Sequence, residues 1–163
     1  MVRKTQKGFS LIELLIVVAI ILIIAAIAIP NLLRSRMAAN EASAVSAIRA
    51  ITTAEHAYFQ AYPAIGFTCT ISNLGPPAAG QPYTDTAAGI LDAVVSSGAK
   101  AGYSFSLSAC SGTPVVSSYT SVATPIVVGG TGQRAFCSDA SGVIRYSSDG
   151  NPATCLANNA VLQ

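Results

Sequence analysis

Residues 14–29 read Leu14-Leu-Ile-Val-Val-Ala-Ile-Ile-Leu-Ile-Ile-Ala-Ala-Ile-Ala-Ile29, an aliphatic run with no polar interruption. Together with residues 9–13 it gives about 31 Å of helix at 1.5 Å per residue, which matches a bilayer core of about 30 Å. Arg3, Lys4 and Lys7 precede it, no acid lies among the first eight residues, and this placement favours a cytoplasmic N-terminus. Arg34 and Arg36 on the far side weaken that preference without reversing it. A secretory signal peptide is the competing reading, because the leader is basic and Ala26-Ile27-Ala28 has the small-x-small form of a cleavage site. The apolar run is longer than the roughly 7–15 residues of an ordinary signal core.

Glu13 separates the two readings. It is a carboxylate just inside the apolar segment, where an acid costs about 2.5–3.5 kcal/mol on insertion scales, so it needs a function and a partner. Beyond the leader the chain has no basic residue near it. A cut between Gly8 and Phe9 creates one: the new α-ammonium of Phe9 stands four residues before Glu13, on the same helix face. That ammonium can meet its own Glu13 or the Glu13 of a neighbouring copy. A buried charged pair formed only between correctly staggered copies fixes register, as a buried polar residue does in a coiled coil.

The stretch Lys7-Gly8-Phe9-Ser10-Leu11-Ile12-Glu13-Leu14-Leu15 resembles the class III prepilin signal of type IV pilins and of the related pseudopilins of type II secretion. Its elements are a short basic leader ending in Gly, then Phe, then Glu at the fifth position after the cut. The resemblance covers about residues 3–62. It implies cleavage after Gly8 by a membrane prepilin peptidase, N-methylation of Phe9, and docking of subunits through Phe9 and Glu13. The implied partners are further copies of the chain in a helical filament, the peptidase, an inner-membrane assembly platform and its ATPase, and the membrane before assembly. The implied location is the inner membrane for the precursor and the extracellular filament afterwards.

Past the apolar run, Pro30 removes one helical hydrogen bond at a cost of about 3 kcal/mol. Helical patterning then resumes through Leu33, Met37, Val45, Ile48, Ile51, Tyr58, Phe59 and Tyr62, so a kink rather than a stop is expected. Asn40, Glu41, Arg49 and Glu55 are expected on other faces. In similar pilins the helix is kinked or locally melted at this proline in the fibre, which places irregular backbone at residues 25–32. The expected organisation is a leader (1–8), a transmembrane assembly helix (9–30), the amphipathic half of the stalk (31–62) and a globular head (63–163). A helix over residues 9–62 is about 80 Å long, and a bundle, rather than a lone domain, has use for such a stalk.

From residue 63 the composition turns to Ser, Thr, Gly, Ala and Pro. Residues 64–83 read as a loop, and Asp85 as the cap of a short helix reaching Ser96. Tyr103-Ser-Phe-Ser-Leu-Ser108 alternates as a half-buried antiparallel strand does. Residues 119–128 give a second strand broken near Pro125, and residues 135–138 and 143–146 a hairpin turned at Asp139-Ala-Ser-Gly142. The expected fold is α+β, a long N-terminal helix packed on an antiparallel meander of three or four strands, which is also the fold the pilin resemblance implies.

Cys69, Cys110, Cys137 and Cys155 form no C-x-x-C pair and His56 is the only histidine, so no zinc site is expected. Two disulfides suit an exported domain, and the residues alone leave three pairings open. The resemblance implies Cys137–Cys155, closing the C-terminal loop on the hairpin, and with it Cys69–Cys110. Asp149-Gly150-Asn151 has the flavour of a calcium loop, in a region where major pseudopilins hold calcium, but the acids are too sparse for one. No catalytic set can be built on one histidine, and His56 reads as a polar residue on the solvent or inter-subunit side of the stalk. Arg134 and Arg145 read as strand residues making surface or subunit contacts. Only 10% of residues are charged against about 25% in an ordinary domain, and beyond the leader the charges sum to −1, so nucleic acid is not an expected partner. No cofactor and no enzymatic activity are expected. The readings are thus a pilus subunit serving adhesion or motility, a pseudopilin of a secretion system, or a secreted or membrane-anchored binding domain behind an ordinary signal peptide.

Overall fold

The computed structural model describes residues 9–157 and 160–162. The expected leader, with Gly8 at its end, lies outside the described residues. The chain divides into two compact units, Met1–Ser35 and Arg36–Gln163. Helix α1 (Leu11–Ala61) contributes to both.

In the first unit every described side chain is exposed except Ala25, which is half-buried. Helix α1 passes through Pro30 without interruption in the single chain, whereas the irregular backbone at residues 25–32 is expected of the fibre. The resemblance placed that distortion in the fibre. In a single chain only the loss of one backbone bond acts at the proline, and the turns on either side keep theirs.

The second unit forms its core between α1 and the sheet. Ala44, Ala47, Ile48, Ile51, Ala54 and Tyr58 recur at steps of three and four and are all buried, so one helical stripe supplies the whole α1 side of the core. The stripe differs from the expected one in two ways. Leu33 and Phe59 are exposed, and Glu41 and Glu55, expected on other faces, are buried. Small Ala residues let the helix sit close to the sheet, which is why the buried stripe follows them rather than the largest apolar side chains.

Five antiparallel strands follow in sequence order: β1 (Ala99–Lys100), β2 (Tyr103–Ser111), β3 (Ser118–Pro125), β4 (Ala135–Asp139) and β5 (Ile144–Ser147). The three or four strands expected become five because residues 99–100 pair with the start of β2. Registers such as Phe105 opposite Ala123 and Ala123 opposite Phe136 put Tyr103, Phe105, Ala123, Phe136 and Ile144 on the face towards α1. The opposite face carries Val122 and Cys137, covered by Cys155 from the short helix α3 (Pro152–Ala157). The β4–β5 turn closes through Gly142, whose amide donates to the Asp139 carbonyl at 3.0 Å while its φ of 76° suits glycine.

Between α1 and the sheet, the expected loop contains one 3-10 turn (Ile71–Leu74). Helix α2 (Ala93–Ser96) is shorter than expected and is capped by Asp92, whose carboxylate accepts from the amides of Val94 and Val95, not by Asp85. Asp85 lies upstream, and its main-chain carbonyl accepts the Tyr58 hydroxyl at 2.7 Å.

Candidate assembly site

The start of α1 is built by Ser10 and Glu13. Ser10 precedes the first helical residue, and its amide donates to Glu13 Oε2 at 2.8 Å. This is the returning half of a Ser-x-x-Glu capping box, in which a carboxylate three residues into the helix satisfies an amide at its entrance. The carboxylate also lies at the end of the helix where its charge is favoured. The spacing Ser10–Glu13 carried that signal in the sequence, where Glu13 drew attention only as a misplaced charge. Phe9 is 81% exposed. The structure therefore brings Glu13 to the peptide joining Phe9 and Ser10.

From this entrance a continuous aliphatic surface runs along α1: Leu11, Leu15, Val18, Leu22, Ile29 and their neighbours are each exposed. Beyond Glu13 it carries no acid up to Pro30 and no base.

In the second unit several charged residues are engaged internally. Glu41 accepts from the amides of Gln133 and Arg134 at 2.9 and 3.1 Å and meets the Arg134 guanidinium at 2.7 Å. Burial alone raises the Glu41 pKa, but these hydrogen bonds and the Arg134 charge outweigh it, and the carboxyl lies below its ordinary value. The Arg134 guanidinium also stacks near the rings of Phe136 and Tyr146. Arg145 pairs with Asp139 at 3.0 Å. Both arginines thus pair within the head, and Arg134 lies just before β4 rather than within a strand.

Glu55 is fully buried; its Oε2 accepts the Thr68 amide at 3.0 Å and its Oε1 has no partner. Burial raises its pKa to about 7, against the smaller opposing effect of the Thr68 amide. His56 beside it is exposed and meets the Phe67 ring edge-on at 5.7 Å. Disulfides join Cys69 to Cys110 and Cys137 to Cys155. Asp149 accepts from the Asn151 amide and the Thr154 hydroxyl at the start of α3. Among the described residues no three His, Cys, Asp or Glu side chains gather as metal ligands.

Comparison with known proteins points to the same end of the chain. The family described as "Prokaryotic N-terminal methylation motif" matches residues 3–29. The chain is 47% identical over 54 residues to the type IV major pilin protein PilA of Myxococcus xanthus, covering 33% of this chain and 24% of that protein. It is 63% identical over 38 residues to the type IV wide pilus major component PilA4 of Thermus thermophilus, covering 23% of this chain and 29% of that protein. It is 55% identical over 51 residues to a fimbrial protein of Pseudomonas aeruginosa, covering 31% and 33%. The matched region thus spans about a quarter to a third of the length of these curated relatives. No solved structure matches the chain. With a methylation motif at its start and pilins among the relatives of its N-terminal third, the chain is similar to type IV pilins over that N-terminal segment.

Proposed function

We propose that the chain is a structural subunit of a type IV pilus that polymerises through its N-terminal helix into a surface filament used for adhesion or motility. The observation that carries this reading is the exposed aliphatic surface running along residues 11–29, entered through a single carboxylate, Glu13. In the inner membrane that surface faces lipid; in a filament it faces the same surface of other copies. The exchange suits aliphatic side chains because hydrocarbon and helix surface are similarly apolar.

Prepilin peptidase cuts after Gly8 and methylates Phe9, which leaves a cationic amine at the helix entrance. Glu13 is already turned towards that entrance through its bond to the Ser10 amide, so it can receive the amine of its own chain or of a neighbour. Phe9 and Glu13 are then the docking pair, residues 9–30 the assembly helix, residues 31–62 the stalk's amphipathic half and residues 63–163 the head, with Pro30 the point at which neighbours kink the helix. The inner-membrane platform and its ATPase draw the precursor out of the bilayer. The role is structural and not enzymatic. Pilus and fimbrial names among the relatives favour a pilus over a secretion pseudopilin.

Intact mass and N-terminal sequence of the protein in material sheared from cells test the reading. A chain beginning at methylated Phe9 and lighter by four protons for two disulfides is the expected result. A chain beginning after Ala28, or one missing from the sheared fraction, overturns it.

A further inference from the structure

Besides local bonds to Tyr62 and Asn73, residues 65–70, which lead from α1 into the head, are held at three further points. The Phe67 amide donates to the Val116 carbonyl at 3.0 Å and the Val116 amide to the Ile65 carbonyl at 2.9 Å. Gly66 makes this pairing possible, because a Cβ there would collide with the Val116 backbone and its φ is 89°. Cys69 is bonded to Cys110. The third point is the Thr68 amide on Glu55 Oε2, the only one of the three that titrates as a carboxyl.

The surroundings of Glu55 decide in which state it closes this contact. It takes part in no ion pair: among the described residues the ion pairs are Arg134 with Glu41 and Arg145 with Asp139. The titratable groups around it are Tyr58 and His56 on α1 and Tyr119 on β3, with Asp139 on β4 acting on Tyr119; His56 is turned to Phe67. The Tyr119 hydroxyl, buried and itself without a partner, has its pKa pushed up to about 12 by burial. An ionised carboxylate in this site has one amide for support and no cation, a state strongly disfavoured in a protein interior. A neutral acid keeps a carbonyl oxygen for the Thr68 amide and carries its proton on the other oxygen, towards the unpartnered side.

We propose that Glu55 is a proton-operated latch for residues 65–70: the neutral acid holds the segment closed on α1, and loss of its proton to solvent opens the segment so that water reaches the carboxylate. The latch is a property of the head and does not rest on the pilus reading. Its sign follows from linkage. The closed form keeps the proton to higher pH than the open form, so closure is strongest below the ordinary carboxylate range and weakens as pH rises towards the value of the closed form. In that window the opening equilibrium rises by up to about tenfold per pH unit, since one proton is released on opening.

Amide hydrogen exchange of the full-length protein in detergent micelles, read as protection factors so that intrinsic base catalysis is removed, tests the latch at Thr68. Protection at Thr68 is expected to fall between pH 5 and pH 7 by roughly ten- to a hundredfold, and to be independent of pH in Glu55→Gln, which keeps an oxygen for the amide and cannot ionise. An equal fall in Glu55→Gln, or no fall in the unaltered protein, overturns the proposal. Where Glu55→Gln does not fold, the side-chain carboxyl carbon of Glu55 in the unaltered protein is followed by NMR. A midpoint well above the ordinary range supports the latch, and one within it overturns the proposal.

Discussion

The Glu41 carboxylate and the Arg134 guanidinium meet at 2.7 Å across the junction of α1 and the sheet, with the same carboxylate accepting the main-chain amides of Gln133 and Arg134. One side chain thereby fixes both where the helix lies along the sheet and where the chain enters β4. Replacing Glu41 by Ala strands two amides and a guanidinium and is expected to lower stability by about 3 kcal/mol. Arg134→Ala costs less, about 1 kcal/mol, because that side chain is 40% exposed and the amides keep their acceptor. Denaturant midpoints of the two variants check the order.

The pH dependence of this contact has the opposite sign to that of Glu55. The folded-state pKa of Glu41 lies below the ordinary value of 4.5, so its stabilisation is present above that value and lost as pH falls through the folded-state value. The stability difference between the unaltered protein and Glu41→Gln is expected to be constant from pH 6 to 8 and to shrink on acidification below pH 4.5. A difference that grows with acid contradicts the assignment.

Ile48 and Ile16 have the same side chain and different surroundings: Ile48 is fully buried in the head core and Ile16 is 52% exposed. Ile48→Ala is expected to cost about 2–5 kcal/mol of head stability. Ile16→Ala should leave the melting of the head unchanged, because that side chain is not part of its core. Thermal melts of both variants in micelles make the comparison.

Removing the Cys137–Cys155 bond by paired Ser substitutions releases a loop of 18 residues and is expected to cost about 3 kcal/mol by the chain-entropy relation. The loss should appear mainly as a lower midpoint of unfolding. A variant as stable as the unaltered protein contradicts it.

Glu13→Ala is expected to leave membrane insertion intact and to abolish fibres. Glu13→Gln separates charge from capping, since the amide oxygen can still accept from Ser10. Fibres restored by Gln assign Glu13 to helix entry alone, and fibres absent with Gln assign it to charge pairing. Electron microscopy of sheared material, alongside membrane fractionation, reads both.

The apolar run, the α1 helix and the sheet order were legible because each rests on a local periodicity: uninterrupted aliphatics at 14–29, steps of three and four after Pro30, and alternation at 103–108. Glu41 and Glu55 escaped because polarity alone assigned them to outer faces. Their positions nevertheless fall on the stripe of Ala44, Ile48, Ile51 and Tyr58, and their partners lie at Arg134 and Thr68, where no local pattern reaches. The expected Asp85 cap lies seven residues before the residue that caps the helix. Asp92 stands directly before the helix, and the loop around Asp85 is instead held by Tyr58. Strand β1 is two residues long and leaves no period to read.

The order β1-β2-β3-β4-β5 joins each strand to its neighbour in sequence, so the sheet is assembled from hairpins that close over short loops. The helix is different. Residues 44–58 are synthesised first, yet their partners on β4 and β5 arrive some eighty residues later. Because contacts distant in sequence slow folding, docking of the helix is expected to complete later than the sheet's own hairpins. The stripe is fully covered only when the last hairpin is made, and until then the nascent head is exposed to proteolysis and to association with other unfinished chains.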